Sequence, residues 1–80
     1  MIKYIADSME WLDKANGNTY SSTRIISTGT GEIVKVFPFG YGHGHNNAIT
    51  FKKAEDLSYY NIYETSQSGT RKQAEAWGKL

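Results

Sequence analysis

Turn signals carrying glycine divide this chain into segments too short for anything but brief strands and helices. Asn16-Gly17-Asn18, Gly29-Thr30-Gly31, a stretch with glycine at alternate positions from Gly40 to Gly44, and Ser68-Gly69 punctuate its 80 residues. Each marks a place where the backbone can reverse or adopt positive φ at little cost. The segments between them are read by their apolar period.

Tyr20 to Thr28 and Glu32 to Phe37 are rich in β-branched and aromatic residues and flank the Gly29-Thr30-Gly31 turn, which predicts a hairpin. The single proline, Pro38, has no N–H for a ladder, so it ends the second strand or lies where that strand is an edge. Ile2 to Asp13 reads as a strand entering the Asn16-Gly17 turn. A helix capped by Asp7 and Glu10 is the competing reading. From Asn46 the period changes, and Ala48, Phe51, Ala54 and Leu57 form one stripe of a short helix. Tyr59 to Thr65 has strand composition. Thr70 with Gln73 three residues later makes a capping box for a last helix that buries Ala74, Trp77 and Leu80. The expected fold is one α+β domain over residues 1–80, in the order β-β-β-α-β-α: an antiparallel sheet of three to four strands with one or two helices packed on one face. Ile25, Ile33, Val34, Val36 and Phe37 are its expected sheet core, with Phe51, Leu57 and Trp77 packed over them.

Several function classes are disfavoured by composition. A chain this short buries only about 60% of the surface it exposes unfolded, so a homodimer or a partner would help it. It has no cysteine to staple it, which favours a reducing compartment and hence the cytoplasm of a cell. No apolar run is long enough for a membrane helix or a signal-peptide core. With 9 Lys+Arg against 8 Asp+Glu, the net charge of +1 suits neither a strongly basic nucleic-acid binder nor an acidic DNA mimic.

The most unusual string is Phe39-Gly40-Tyr41-Gly42-His43-Gly44-His45-Asn46-Asn47. It lacks the Lys-Ser/Thr of a phosphate-binding loop and the spacing of a dinucleotide fingerprint. His43 and His45 alone are too few ligands for zinc, so no metal and no cofactor are expected. No nucleophile sits in a diagnostic context, and catalysis is not expected either. Two binding readings remain. An aromatic interface centred on this mobile loop would use Phe39, Tyr41, His43, His45 and a neighbouring Tyr60 against a protein. A nucleic-acid surface would use Tyr59 and Tyr63 for stacking and Arg71 and Lys72 for phosphates.

Glu10-Trp11-Leu12-Asp13-Lys14-Ala15-Asn16-Gly17-Asn18-Thr19-Tyr20, then Arg24-Ile25, then Pro38-Phe39-Gly40-Tyr41-Gly42 resemble the Trp, NGNTY, Arg-Ile, Pro-Phe-x-Tyr-Gly order of small bacteriophage and mobile-element proteins. The resemblance covers roughly residues 3 to 44, with His43 standing where that order has a second tyrosine. Such proteins include antagonists of host defence, the anti-CRISPR proteins among them. The resemblance therefore implies a partner that is a host defence protein or ribonucleoprotein complex. Separately, Gly69 to Ala76 is similar to the start of the last helix of double-stranded RNA-binding domains, whose opening helix has no counterpart here.

Overall fold

The computed structural model describes residues 1–79, with the side chain of Tyr59 outside that description. Its elements are β1 (Tyr4–Asp13), β2 (Asn18–Ser27), β3 (Ile33–Tyr41), α1 (Gly44–Ala54), a single 3₁₀ turn (Tyr59–Asn61), β4 (Ile62–Ser68) and α2 (Arg71–Trp77). The α+β class and the β-β-β-α-β-α order are those expected. The strands lie in the order β3-β2-β1-β4, with β1/β2 and β2/β3 antiparallel and β4 parallel to β1, so the sheet is mixed.

Residues 4–13 are a strand, and the helical alternative for them falls away. The turn after them decides this. Asp13 O accepts from Gly17 N at 2.7 Å with Gly17 at φ 74°, and Asp13 Oδ1 and Asn16 Oδ1 accept from Ala15 N and Asn18 N. Those bonds close a tight reversal that sets Trp11 opposite Tyr20 and Ala6 opposite Ile25. Pro38 lies inside an edge strand. β3 continues past it to Tyr41, with one irregularity where Pro38 and Phe39 together oppose Ser22 and another at Val34. Tyr59 and Tyr60 are not strand residues, because the Ser58/Asn61 capping box winds them into the 3₁₀ turn.

The helices lie on opposite faces, not on one. Adjacent residues of a strand point to opposite sides of a sheet. Thr23 Oγ1 accepts from Asn47 Nδ2 of α1 at 2.9 Å, whereas Ser22 Oγ donates to Ala74 O of α2. The alternation along β2 thus sends one helix to each side. Both faces of β2 are dry at its centre as a result, where Ser21, Ser22 and Thr23 are buried in succession. Every one of their hydroxyls is engaged: Ser21 Oγ donates to Gly42 O at 3.0 Å, and Thr23 Oγ1 also bonds Ser8 Oγ at 2.8 Å.

Under α1 the core is Ala6, Ile25, Ala48 and Phe51, flanked by half-buried Tyr4, Phe37, Leu57 and Ile62. Tyr4 and Phe51 meet edge to face with ring centres 5.2 Å apart. Of the expected core, Ile25 and Phe51 are buried, and Val36, Phe37, Leu57 and Trp77 are half-buried. Ile33 and Val34, at 36% and 49% exposure, are not core. They begin the edge strand, which α1 does not cover: it packs chiefly on β1, β2 and β4, and between it and Val34 lies an open indentation of about 220 Å³ that Phe51 and Ala54 also line. Ala54 of the predicted stripe is exposed as well, and Leu80 lies outside the described residues.

α2 is entered through the predicted capping box, Thr70 Oγ1 accepting from Gln73 N at 3.2 Å and Gln73 Oε1 from Thr70 N at 2.8 Å. A seven-residue helix is too short to stand alone, so tertiary contacts hold it. Trp77 Nε1 donates to Asp7 O at 2.9 Å, Arg24 Nε donates to Trp77 O at 2.9 Å, and the Arg24 guanidinium lies 4.0 Å from the indole centre. Burial raises the Asp7 carboxyl above its ordinary value, against the opposing pull of Arg24 and of the Gln67 amide.

Two predictions follow from this packing. A Cβ at Gly44 would lie 2.0 Å from Ser8 Oγ and 2.5 Å from Ser8 Cβ, whereas at Gly40 the nearest atom is 3.8 Å away. Ser8 is buried and held by the ladder, so Gly44→Ala should destabilise by at least about 1–3 kcal/mol and Gly40→Ala by less than ~1 kcal/mol, read by urea denaturation. For Asp7, the folded carboxyl binds its proton more tightly than the unfolded one. It therefore subtracts stability as pH rises from the unfolded value of 3.8 through the raised one, and the loss is complete above that. Asp7→Asn should accordingly gain Tm relative to wild type between pH 3.5 and pH 7, tested by paired thermal melts; a difference that shrinks over that range would contradict the assignment.

Candidate functional site

Near the β1–β2 turn the sheet brings together four of the chain's eleven aromatic residues, Trp11, Tyr20, Phe39 and Tyr41. Trp11 and Tyr20 are cross-strand partners with ring centres 5.6 Å apart. Tyr20 stacks on Phe39 at 5.7 Å and 16°, and Trp11 lies 6.3 Å from Phe39. The extra residue of β3 at Pro38–Phe39 turns Phe39 onto this face. Arg71, in the first turn of α2, places its guanidinium 5.5 Å from the Trp11 ring and 6.0 Å from Phe39, while its Nε bonds Glu75 Oε1 at 2.8 Å. All three rings are half-buried, so they form a platform and not a free surface.

Tyr41 stands at the rim of that platform, 75% exposed and edge-on to Tyr20 with centres 5.7 Å apart. Its backbone is fixed on both sides. It pairs with Tyr20 as the last residue of β3, and the next residue, Gly42, donates to Thr19 O at 3.1 Å and accepts from Ser21 Oγ. Gly42 has φ 130°, a conformation that side chains rarely adopt, and it steers the chain from β3 into α1. Two shallow indentations, of about 60 and about 240 Å³, share Tyr41, Gly42, His43 and Asn46 as lining.

The expected mobile loop is therefore not one. Gly40 and Tyr41 belong to β3 and Gly44 begins α1, leaving Gly42 and His43 as the connection. Gly44 is small because the helix N-terminus presses onto Ser8, not because the chain must flex there.

The proposed protein-binding residues divide among three places. Phe39 and Tyr41 share the platform. His45 lies on the other face of the sheet, with Nδ1 bonded to Glu64 of β4, which pairs with Ala6 five positions along β1 from Trp11. His43 flanks both sites, since it lines the Tyr41 indentations and also a cavity of about 160 Å³ with Ser8, Glu10, His45, Glu64 and Ser66. Tyr60 is not a neighbour of Tyr41. It precedes β4 at the far end of the sheet, and the seven positions from Tyr4 to Trp11 alone span about 23 Å.

The polar cavity joins α1 to β4 through an imidazole–carboxylate pair, but its buried hydroxyl, on Ser8, is bonded to Thr23. Among the described residues, no three of His, Cys, Asp and Glu are placed to hold a metal ion. The nucleic-acid set is also dispersed. Tyr63 is exposed beside Ile5, six positions along β1 from the Trp11 ring that Arg71 covers, a separation of about 20 Å. Lys72 is exposed, Arg71 is already paired with Glu75, and the Tyr59 side chain lies outside the described residues.

Trp11 and Tyr20 escaped the sequence reading as site residues. Once Asp13 and Asn18 are taken as the closing pair of the turn, counting back along both strands makes Trp11 and Tyr20 partners, so a signal was present. Glu64 as the partner of His45 had none, because that contact depends on how α1 docks across β4.

No protein-family model matches the chain, and neither curated proteins nor solved structures yield a match. Among the described residues, no helix is long and apolar enough to cross a membrane.

Proposed function

We propose that this is a non-catalytic binding protein of a phage or related mobile element, acting in the host cytoplasm on a defence protein or ribonucleoprotein complex. Its origin and its target class rest on the resemblance of residues 3 to 44 to small proteins of such elements. The binding reading rests on Tyr41, an exposed aromatic on a rigid mount. Such a side chain enters a partner's pocket with little loss of rotamer freedom, and tyrosines are enriched among residues that dominate binding energy. The indentations on either side of it, lined by Gly42, His43 and Asn46, give a partner's side chains places to interlock. The nucleic-acid alternative has less support, since its aromatic and basic members face different parts of the surface and Arg71 is neutralised within its own helix.

The test uses the immobilised protein to capture its target from a bacterial host lysate, followed by titration of the purified target. Tyr41→Ala, confirmed folded, should weaken binding at least about tenfold, or ~1.4 kcal/mol. Arg71→Glu with Lys72→Glu should change it little, and affinity should fall only shallowly with salt. The opposite pattern, with loss in the charge-reversed variant and a steep salt dependence, would assign a nucleic-acid target instead.

A further inference from the structure

The two edges of the sheet are built differently. β3 is broken by the irregularities at Val34 and at Pro38–Phe39 and carries Lys35 and Pro38, features that block strand addition. β4 has none of them. It pairs with β1 without a register shift from Tyr4↔Ile62 to Glu10↔Ser68, contains no proline or lysine, and is exposed from Thr65 to Ser68. Neither helix covers its outer edge, since α2 packs on β1, β2 and β3, and α1 lies across the face.

In a parallel pair, alternate residues direct their backbone groups to the neighbouring strand. Lys3 N donates to Asn61 O at 2.7 Å, which places the odd-numbered residues of β4 toward β1. Ile62, Glu64, Ser66 and Ser68 therefore turn their N–H and C=O groups outward. We infer that this edge pairs with itself: two copies of the chain join β4 to β4 antiparallel about a two-fold axis through Thr65, extending the four-stranded sheet of each into one.

The register follows from the residues. Outward groups must meet outward groups, so even positions pair with even positions. Ile62 with Ser68 and Glu64 with Ser66 of the second copy is the arrangement that uses all four. Sliding by one repeat in one direction sets Glu64 against Glu64, a like-charge contact, and sliding the other way leaves Ile62 without a β4 partner. In the favoured register Glu64, the one charge on the strand, faces a hydroxyl, Thr65 faces Thr65, and Tyr63 faces Gln67. A foreign strand would be selected through side-chain pockets at alternate positions. The polar cavity that Glu64, Thr65 and Ser66 help to line is closed in part by His43, Gly44 and His45 of the same chain, whereas the side chains along β4 complement their own copies in this register without a like-charge contact, which is why the occupant is a second copy.

Sedimentation or light scattering from roughly 5 to 500 µM suits an interface smaller than the ~800 Å² per partner of a stable complex, and the mass should double across that range. Thr65→Lys, a change at an exposed position, sets two ammonium groups against each other at the axis and should weaken the dimer at least about tenfold. Because the chain has no cysteine, single-cysteine variants report the register directly. Thr65→Cys should crosslink on oxidation, its Cα atoms lying about 4.5 Å apart in such a pair, within disulfide reach. Gln67→Cys, whose copies would be about 14 Å apart, should not. A monomer at every concentration, a dimer indifferent to Thr65→Lys, or crosslinking at Gln67 equal to that at Thr65 would each overturn the proposal.

Discussion

Three consecutive hydroxyl side chains in the middle of β2 are the junction on which the rest of the molecule depends. Ser21, Ser22 and Thr23 are all removed from water, and a buried hydroxyl left without a partner costs about 1–3 kcal/mol. Each finds its partner on a different element: Ser21 on the β3–α1 connection, Ser22 on α2, and Thr23 on both β1 and α1. Drying the centre of the sheet therefore requires all of these to dock in register together. Small side chains surround the junction for the same reason, since Ala6, Ser8, Gly44 and Ala48 let α1 approach until hydroxyl and amide groups touch. The apolar core is correspondingly small, and polar matching shares the task of specifying the fold.

What the sequence made legible was the local chemistry. The reversal at Asn16-Gly17, the hairpin around Gly29-Thr30-Gly31 and the Thr70/Gln73 cap depend on residues a few positions apart, and all three are present. Helix side was not legible, because it follows from the Ser22 and Thr23 bonds to partners far along the chain, and neither was the direction of β4, which the chain reaches from β3 by crossing the sheet through α1 to its other edge. Serine and threonine in a strand look alike whether they face water or a helix. Ile33 and Val34 misled for the complementary reason: an apolar pair invites burial, yet at the start of an edge strand that no helix covers it stays exposed.

The candidate site divides along the same line. Tyr41 could be picked out because an aromatic among glycines is conspicuous, but its rigidity could not, since that comes from Tyr20 and from the bonds at Gly42. Glycine at alternate positions suggested mobility, whereas the structure uses Gly42 for its φ and Gly44 for its missing side chain. The two histidines gave no hint that one of them ties α1 to β4 through Glu64.

The placement of α2 also bears on how the protein is made. Ser22 and Arg24 bond to carbonyls of Ala74 and Trp77, 52 and 53 residues later in the chain. At ribosomal rates of ~5–20 residues per second, those acceptors are synthesised about 3 to 10 s after the groups they serve. A β-hairpin closes in about 1–10 µs, so the early strands can meet long before one face of their sheet has a cover. Throughout that interval the nascent chain exposes the underside of its central strand, and the native state is reached only once the final helix has emerged.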